Sequence, residues 1–443
     1  MYSRVFGWGR SLHSLSKVVE LNLDKEPVLE ATERGAISRG LGRSYGDSSV
    51  NSGGIVFTSS ELKHIEIDVD SATAIVGAGV TIMELERAAM NLGFFPFVVP
   101  GTAQVTVGGA IASDIHGKSH HRVGSFSNHL KEIKLLSSDG MVRTLSPNGD
   151  TSQLFWATIG GMGLTGAITE ATLLLRRIET AYLKVDEIKV KNLDQLIQTL
   201  VRVNETHLYT VAWIDLSGKF EGRGIISAAN HHQLDPNKSR ESKKHSNRQP
   251  LSSKPLKLYY PFKFGLITQF SVRLFNSVWY HKPRGKKLQQ IQKYMHPLDG
   301  IENWNIVYGE RGFIQYQFVI PFEHKDVLKS VLTLLRDNRC CSFLSVLKSF
   351  GHGSPAFLGF PIKGWTLAID LNIRKKNLQA LLASLDSMIL GVGGRIYLTK
   401  DSRLSSTDLQ GMYPRLNEWK VIKRAIDPAN YWQSDQARRL GLC

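Results

Sequence analysis

Three segments in the first 175 residues interrupt β-type runs with clustered glycines, and no other feature restricts the fold as much. They are RGLGRSYGDSS (39–49), PGTAQVTVGGAIAS (100–113) and LFWATIGGMGLTGAITEATLLL (154–175). Glycine adopts positive φ and lets backbone approach a ligand closely. A turn punctuated by Gly40, Gly42 and Gly46 points successive N–H groups into one concavity, which suits a pyrophosphate, and Arg39 and Arg43 add charge. By itself it also fits a plain glycine turn, and it is not G-x-G-x-x-G between a strand and a helix, so a Rossmann fingerprint is not met. The second segment reads as an extended stretch, then a short helix of small residues opened by Gly108 and Gly109, with room for a flat ring or a phosphate. In the third, Gly160, Gly161, Gly163 and Gly166 clear the backbone again. Turns alone do not need three such clusters; a dinucleotide wrapped by several loops explains them together.

At 443 residues the chain has room for two or three structural units. Hydrophobic residues make up 42% and charged ones 21%, a globular composition that excludes a disordered chain. The formal charge is +16, and seven cations lie between Pro236 and Lys257 beside the single acid Glu241. That Ser- and Asn-rich stretch lacks periodicity and reads as a mobile basic loop at about 232–257. Beyond it, LKLYYPFKFGLITQFSVRLFNSVWYHKPRGKK mixes aromatics, aliphatics and cations. This fits contact with an anionic membrane surface, a cover over an amphiphilic substrate, or a core helix beside a solvated loop. No nucleic-acid module is present, so no nucleic-acid partner is expected.

Cys340, Cys341 and Cys443 cannot build a disulfide framework and read as free thiols in a reducing compartment. No zinc spacing occurs, and HGKSHH resembles no metal motif, so no metal is expected. No run reaches the ~18 apolar residues of a membrane span, and the first residues lack the ~7–15-residue apolar core of a secretory signal. The expectation is a soluble or peripheral protein, cytoplasmic or at the membrane surface, with its N-terminus retained.

Periodicity predicts a helix over 81–93, with Ile82, Leu85, Ala89 and Leu92 on one face and Gly93 as its stop. Strands are predicted at 182–190, 208–216, 222–230, 313–321 and 365–373, and helices at 192–205, 323–338 and 378–393. The centre of the chain is thus α+β, an antiparallel sheet covered by helices, followed by a strand or turn and a helical tail. Among His116, His120 and His121, His116 lies inside the tight glycine segment and is the better functional candidate; ordinary hydrogen-bonded histidines are the reading for the other two.

FGWGR (6–10), RGLGRSYGDSS (39–49), DIHGKSHH (114–121), FIQYQFVIP (313–321), KDSR (400–403) and DPANYWQSDQARRL (427–440) together resemble the decaprenylphosphoryl-ribose 2-oxidase family. That family lies within the vanillyl-alcohol-oxidase, or PCMH-type, flavoproteins, and the resemblance runs the length of the chain. It implies an α+β fold: a two-subdomain PCMH-type FAD-binding domain from residues 1–178 and 394–443, and an inserted substrate domain, 179–393, of antiparallel sheet and helices. It implies FAD, held by Arg39, Gly40, Leu41, Gly42, Arg43, Ser44, Tyr45, Gly46, Gly101, Thr102, Gly108, Gly109, Ser113, His116, Gly117, Gly163, Ile168 and Lys400. Many relatives in the wider superfamily carry a covalent histidine after the first glycine loop; here Asp47 follows Gly46, so FAD is expected without a covalent bond. Mycobacterial members have Cys and Asn where this chain has Ala368 and Thr366, so no thiol chemistry is required there.

The implied reaction is FAD-dependent oxidation of a secondary sugar hydroxyl, C2 of a polyprenyl-phosphoryl ribose, to the 2-keto sugar. This is the first half of a 2-epimerisation toward an arabinose donor, completed by a keto-reductase partner. Lys400, His116 and Tyr45 are the catalytic candidates, orienting or accepting the hydroxyl proton. Lys400 either has a lowered pKa or stays charged beside the flavin, and the second role is favoured; an ion pair with Asp401 or Asp370 is the bland reading. Gln315 and Gln317 share one face of a strand by its period of two, with Tyr316 and Phe318 on the other. Two amides suit sugar hydroxyls, a flavin edge or plain solvent. Together with Lys118, Thr366 and Ala368 they form the expected substrate site. Lys118 and the basic loop are candidates for the lipid phosphate, and Tyr259, Tyr260 and Phe262 for the prenyl chain. An alditol or sugar-lactone oxidase using oxygen is the alternative enzyme, and a basic scaffold for membrane or polyanion the non-enzyme alternative.

Overall fold

The structure, a computed structural model, describes residues 2–23, 32–217, 222–234, 255–259 and 265–443. Most of the basic segment lies outside the described residues, as do Tyr260 and Phe262.

Three sheets organise the chain. The first holds β1 (Tyr2–Phe6), β2 (His13–Glu20), β3 (Ala36–Arg39) and β4 (Ile55–Thr58) in the order β1-β2-β4-β3. The second is antiparallel: β5 (Ile65–Asp68), β6 (Thr73–Gly77), β7 (Phe94–Pro96), β8 (Leu130–Leu136), β9 (Val142–Leu145) and β10 (Ala167–Arg177) run β5-β6-β10-β8-β9, with β7 also on β10. The third is a large antiparallel sheet. Its strands β11 (Tyr182–Val190), β12 (Tyr209–Ile214), β13 (Gly224–His231), β15 (Lys286–Gln290), β17 (Phe313–Pro321), β18 (Ser345–Phe350), β19 (Gly364–Asn372) and β20 (Arg395–Ile396) run β15-β11-β13-β12-β18-β19-β17-β20. A small parallel pair joins β14 (Leu256–Lys257) to β16 (Ile301–Glu302).

The predicted strands and helices of the central region all form, within a residue or two except that the last helix stops at Leu390, three residues short, with Gly391 as its C-cap. Helix Ile82–Asn91 starts on a capping box between Thr81 and Glu84. It ends one residue earlier than its apolar periodicity suggests: Leu92 is the C-cap and 46% exposed, because the chain turns away there at Gly93.

The third sheet has two unlike faces, and this positions the site. Tyr316, Phe318, Leu347, Leu367 and Ile369 point into an apolar core under helices Leu193–Asn204, Lys325–Asp337 and Leu378–Leu390. The alternating residues Gln315, Gln317, Thr366, Ala368, Asp370 and Lys348 point the other way. Residues 291–299 tie this unit to the glycine-rich part of the chain: buried His296 meets buried Glu86 at 2.7 Å, and Asp299 accepts from the Ala103 N–H at 2.7 Å.

The tail returns to the first sheet. Trp432 bridges Ala36, and Arg439 spans the carboxylates of Asp47 (2.8 and 2.9 Å) and Asp401 (2.8 Å). Both carboxylates are buried, so removing the cation strands two charges away from water. Arg439→Ala is expected to cost roughly 3–5 kcal/mol, read as a lower denaturant midpoint, with Arg439→Lys recovering part of it. A midpoint within error of the native one contradicts this account of the tail.

Candidate active site

The first glycine loop leaves β3 and folds back on itself. The Arg39 guanidinium donates to the Ser49 carbonyl (3.1 Å) and the Phe6 carbonyl (2.7 Å). Its charge therefore holds the loop closed as well as lining the space beside it. A Cβ on Gly40 would lie 2.1 Å from the Thr106 hydroxyl, so glycine lets this loop touch the N-cap of helix Val107–Ala112. The third glycine segment closes the opposite wall with Met162, Gly163, Gly166 and Ile168.

Between them lies a cavity of about 940 Å³, part of it open to solvent. Leu21, Phe57, Ile115 and Ile168 offer apolar walls; Ser38, Ser48, Ser49, Thr106, Ser113 and Arg43 offer polar groups. The buried Ser38 hydroxyl and Arg43 Nε have no partner among the described residues. Unmet donors among glycine backbone and apolar walls fit a molecule with a pyrophosphate centre and flat ring systems, so FAD fits these residues.

Eleven of the cofactor candidates line this cavity: Arg39, Gly40, Leu41, Gly42, Arg43, Ser44, Gly108, Gly109, Ser113, Gly163 and Ile168. Others sit elsewhere. Gly101 is exposed with open space around it, and Thr102 is half-buried, its hydroxyl accepting from the Gln104 N–H. Gly46 packs on the tail, where a Cβ would lie 1.9 Å from the Asp401 carbonyl oxygen. Tyr45, His116, Gly117 and Lys400 lie outside that lining. Of these, Tyr45, His116 and Lys400 meet the polar face of the third sheet.

His116 is 8% exposed and boxed by the rings of Phe350, Phe360 and Tyr397, with centroids 4.7, 5.5 and 5.0 Å away. The Tyr397 hydroxyl donates to the Ser113 carbonyl at the cavity wall (2.8 Å). A chain of hydrogen bonds sets the imidazole's state. The Thr366 hydroxyl donates to the Phe318 carbonyl (2.8 Å) and accepts from Gln317 Nε2 (3.0 Å). The same amide nitrogen donates to His116 Nε2 (2.9 Å), so that nitrogen is an acceptor and the proton of the neutral ring sits on Nδ1. Nδ1 is buried without a partner among the described residues, as is Gln317 Oε1. Burial, then the charges of Lys348 and Lys400, hold the His116 pKa well below its usual value, so the ring is neutral.

Beside it, Asp370 accepts from Gln315 Nε2 (2.5 Å) and the Tyr308 hydroxyl (2.9 Å). Lys400 Nζ lies 5.5 Å from the Tyr45 ring centre, and no carboxylate of the described residues is within ion-pair distance of it. Asp401, the ion-pair partner considered from sequence, is held by Arg439 instead. Burial raises the Asp370 pKa; burial and then the charge of Lys348 lower that of Lys400. Burial, then the Asp370 charge, raises that of Tyr45, which stays protonated.

Lys348, on β18 opposite Thr366, was not singled out from the sequence. Burial lowers its pKa to about 8, and its charge acts on Lys118, Lys400 and His116. Lys118 donates to the Met295 carbonyl (2.6 Å), and burial, then Lys348, lowers its pKa to about 7. Nothing in the run SVLKSF marks this lysine except its alternation; the pairing of β18 with β19 brings it here. Gln315 and Gln317, open to a solvent-facing reading in sequence, are 4% and 1% exposed. Ala368 shares their face, paired with Gln317. Tyr259 is 78% exposed. Among the described residues no three His, Cys, Asp or Glu side chains gather as a metal site would require.

The FAD binding domain family matches residues 28–146. Over 99% of its length the chain is 41% identical to decaprenylphosphoryl-beta-D-ribose oxidase of Mycolicibacterium smegmatis, covering 97% of that protein. It is 33% identical, over 82% of its length, to the whole of an uncharacterized Streptomyces coelicolor protein. A D-lactate dehydrogenase of Archaeoglobus fulgidus is 31% identical over 28% of each chain.

Proposed function

The chain belongs to the decaprenylphosphoryl-ribose oxidase family of FAD-binding oxidoreductases, and from that premise we propose that it oxidises C2 of a polyprenyl-phosphoryl ribose to the ketone. Arg39–Ser44, Gly108, Gly109 and Ser113 would hold FAD, which would supply the hydride acceptor for that carbon. The observation that carries the reading is the cluster of Lys118, Lys348 and Lys400 beside a buried amide-bearing face, where Lys400 and His116 directly follow the cavity-lining Thr399 and Ile115 in the chain. Cations recognise a phosphoryl group, and amides recognise sugar hydroxyls.

The hydroxyl proton must leave as the hydride does. His116 Nε2 is occupied by the Gln317 amide, and Tyr45 stays protonated, so neither takes it as found. Lys400, its pKa lowered by burial, offers a free amine near neutral pH. Accepting the proton makes it an ammonium where negative charge develops, so both roles weighed for it from sequence follow in turn. His116 Nδ1–H donates and orients. The product is a 2-keto sugar, and a separate keto-reductase is required to complete an epimerisation. Oxidising ribose deuterated at C2 tests the reading: a slowed turnover and a product lighter by one deuterium are expected, and a ketone retaining the label contradicts it.

Lys118 and Lys348 bind the phosphoryl group in their charged forms, which predominate below their pKa values. With those values lowered to about 7 and about 8, the charge is lost as pH rises through that window. KM for the phosphoryl sugar is expected to climb from pH 7 to 9. In Lys348→Arg, whose guanidinium stays charged, the climb above pH 8 disappears. An unchanged profile in the variant removes Lys348 from this role.

No histidine follows Gly46, and Asp47 is locked to Arg439, so FAD is held without a covalent bond. Acid precipitation is expected to leave the yellow colour in the supernatant, and colour in the pellet contradicts this. Among the described residues no helix is long and apolar enough to cross a membrane.

A further inference from the structure

Helix Gln269–His281 is amphipathic the wrong way round for a protein in water. Its inward side is held by polar bonds. Asn276 Nδ2 donates to Asp215 Oδ1 (2.8 Å) and the Ser342 carbonyl (3.2 Å), and Arg273 Nε donates to the Ser217 carbonyl (2.9 Å). Asp215 is itself paired with Arg223 at 2.7 Å. The outward side carries Phe270, Leu274 and Val278, four residues apart on one face and 77%, 57% and 65% exposed. Val272, on the inward side, is 2% exposed, so the helix is seated, and none of the described residues covers the outward row. Leu266 and Tyr259 extend the exposed apolar surface.

The charges around it are predominantly positive. After Glu241 the next acid in the sequence is Asp299, and twelve Lys and Arg lie between them. Among the described residues, Glu187 takes Arg284 and Lys287, Glu302 takes Lys257, and Asp186 stands opposite Lys286 in the sheet. Lys282 and Lys286 stand exposed, with no carboxylate of the described residues in ion-pair range.

We propose that helix Gln269–His281 lies flat on an anionic lipid surface, with Phe270, Leu274 and Val278 entering the acyl boundary and the flanking lysines meeting the headgroups. An apolar row flanked by cations is the composition of an in-plane membrane helix; an acidic protein partner would meet the cations but leave the row in contact with charge. The proposal deepens the reading of a lipid-linked substrate and is tested separately from it.

The test is sedimentation of the full-length FAD-loaded protein with phosphatidylcholine vesicles, with and without phosphatidylglycerol. Binding is expected to the anionic vesicles only and to weaken as salt shortens the reach of the charges. The triple variant Phe270→Ser, Leu274→Ser, Val278→Ser is expected to bind about ten-fold more weakly or worse. It keeps the native melting temperature and native turnover of a short-chain, water-soluble phosphoryl ribose. Lys282→Glu with Lys286→Glu weakens binding through the charge alone. Failure of the native protein to sediment, equal sedimentation of the triple variant, or self-association through this helix overturns the docking proposal. Vesicle binding without turnover of the short-chain sugar overturns the substrate reading and leaves the docking standing.

Discussion

Replacing Lys400 by methionine is expected to slow sugar oxidation by about 10²- to 10⁴-fold, the range for losing a positioned proton acceptor. Methionine keeps the volume of the aliphatic stem and removes the amine. The reasoning rests on availability. Asp370 is buried but has both oxygens engaged by Gln315 and Tyr308, His116 Nε2 receives the Gln317 amide, and Tyr45 holds its proton. Lys400 alone among these has a nitrogen able to accept a proton that no neighbouring group of the described residues occupies, since the unpartnered His116 Nδ1 already carries the ring proton. The sign of the pH dependence follows. A lysine lowered toward neutrality is the amine above its pKa, so kcat should rise with pH through that value, and this acid limb should vanish in the methionine variant. A variant that keeps both its rate and its acid limb contradicts the assignment.

Replacing Gln317 by leucine is expected to reduce kcat by about 10- to 100-fold, although Gln317 itself need not touch the reacting carbon. The change removes the donor that fixes His116 Nε2 as an acceptor and leaves Thr366 Oγ1 without its amide. Freed of that donor, the ring can carry its proton on either nitrogen, and the Nδ1–H that orients the substrate is no longer assured. The structural cost is one or two unmet buried groups, about 1–3 kcal/mol. Nitrogen-15 spectra of the imidazole separate the positioning role from simple loss of stability: the native protein should show the Nδ1–H tautomer, and the leucine variant a mixture or the other form. Reduced turnover with an unchanged tautomer rejects the hydrogen-bond chain as its cause.

The parts of the site that were legible in the sequence are those fixed by short-range pattern. Each glycine loop lies within a single segment, so their convergence on one cavity is readable from their number. The alternation in FIQYQFVIP correctly separated Gln315 and Gln317 from Tyr316 and Phe318. What was hidden depends on contacts between distant segments. Lys348 joins the site because β18 pairs with β19 at Thr366, a register no local pattern gives. Arg39 closes its own loop because Ser49 and Phe6 present carbonyls to it. Gly46 marks the seat of the returning tail rather than the cavity wall, since its nearest neighbour is the Asp401 carbonyl. The sequence leaves the stretch containing helix Gln269–His281 open between membrane contact, a substrate cover and core, because its composition says nothing of the hydrogen bonds that seat the helix's other side.

The most direct measurement is an anaerobic titration of the FAD-loaded protein with polyprenyl-phosphoryl ribose, following the absorbance of the oxidised flavin. The account predicts bleaching in proportion to added sugar, with one equivalent of 2-keto product for each flavin reduced. Colour that persists with this sugar but fades with a free alditol or sugar lactone would contradict it.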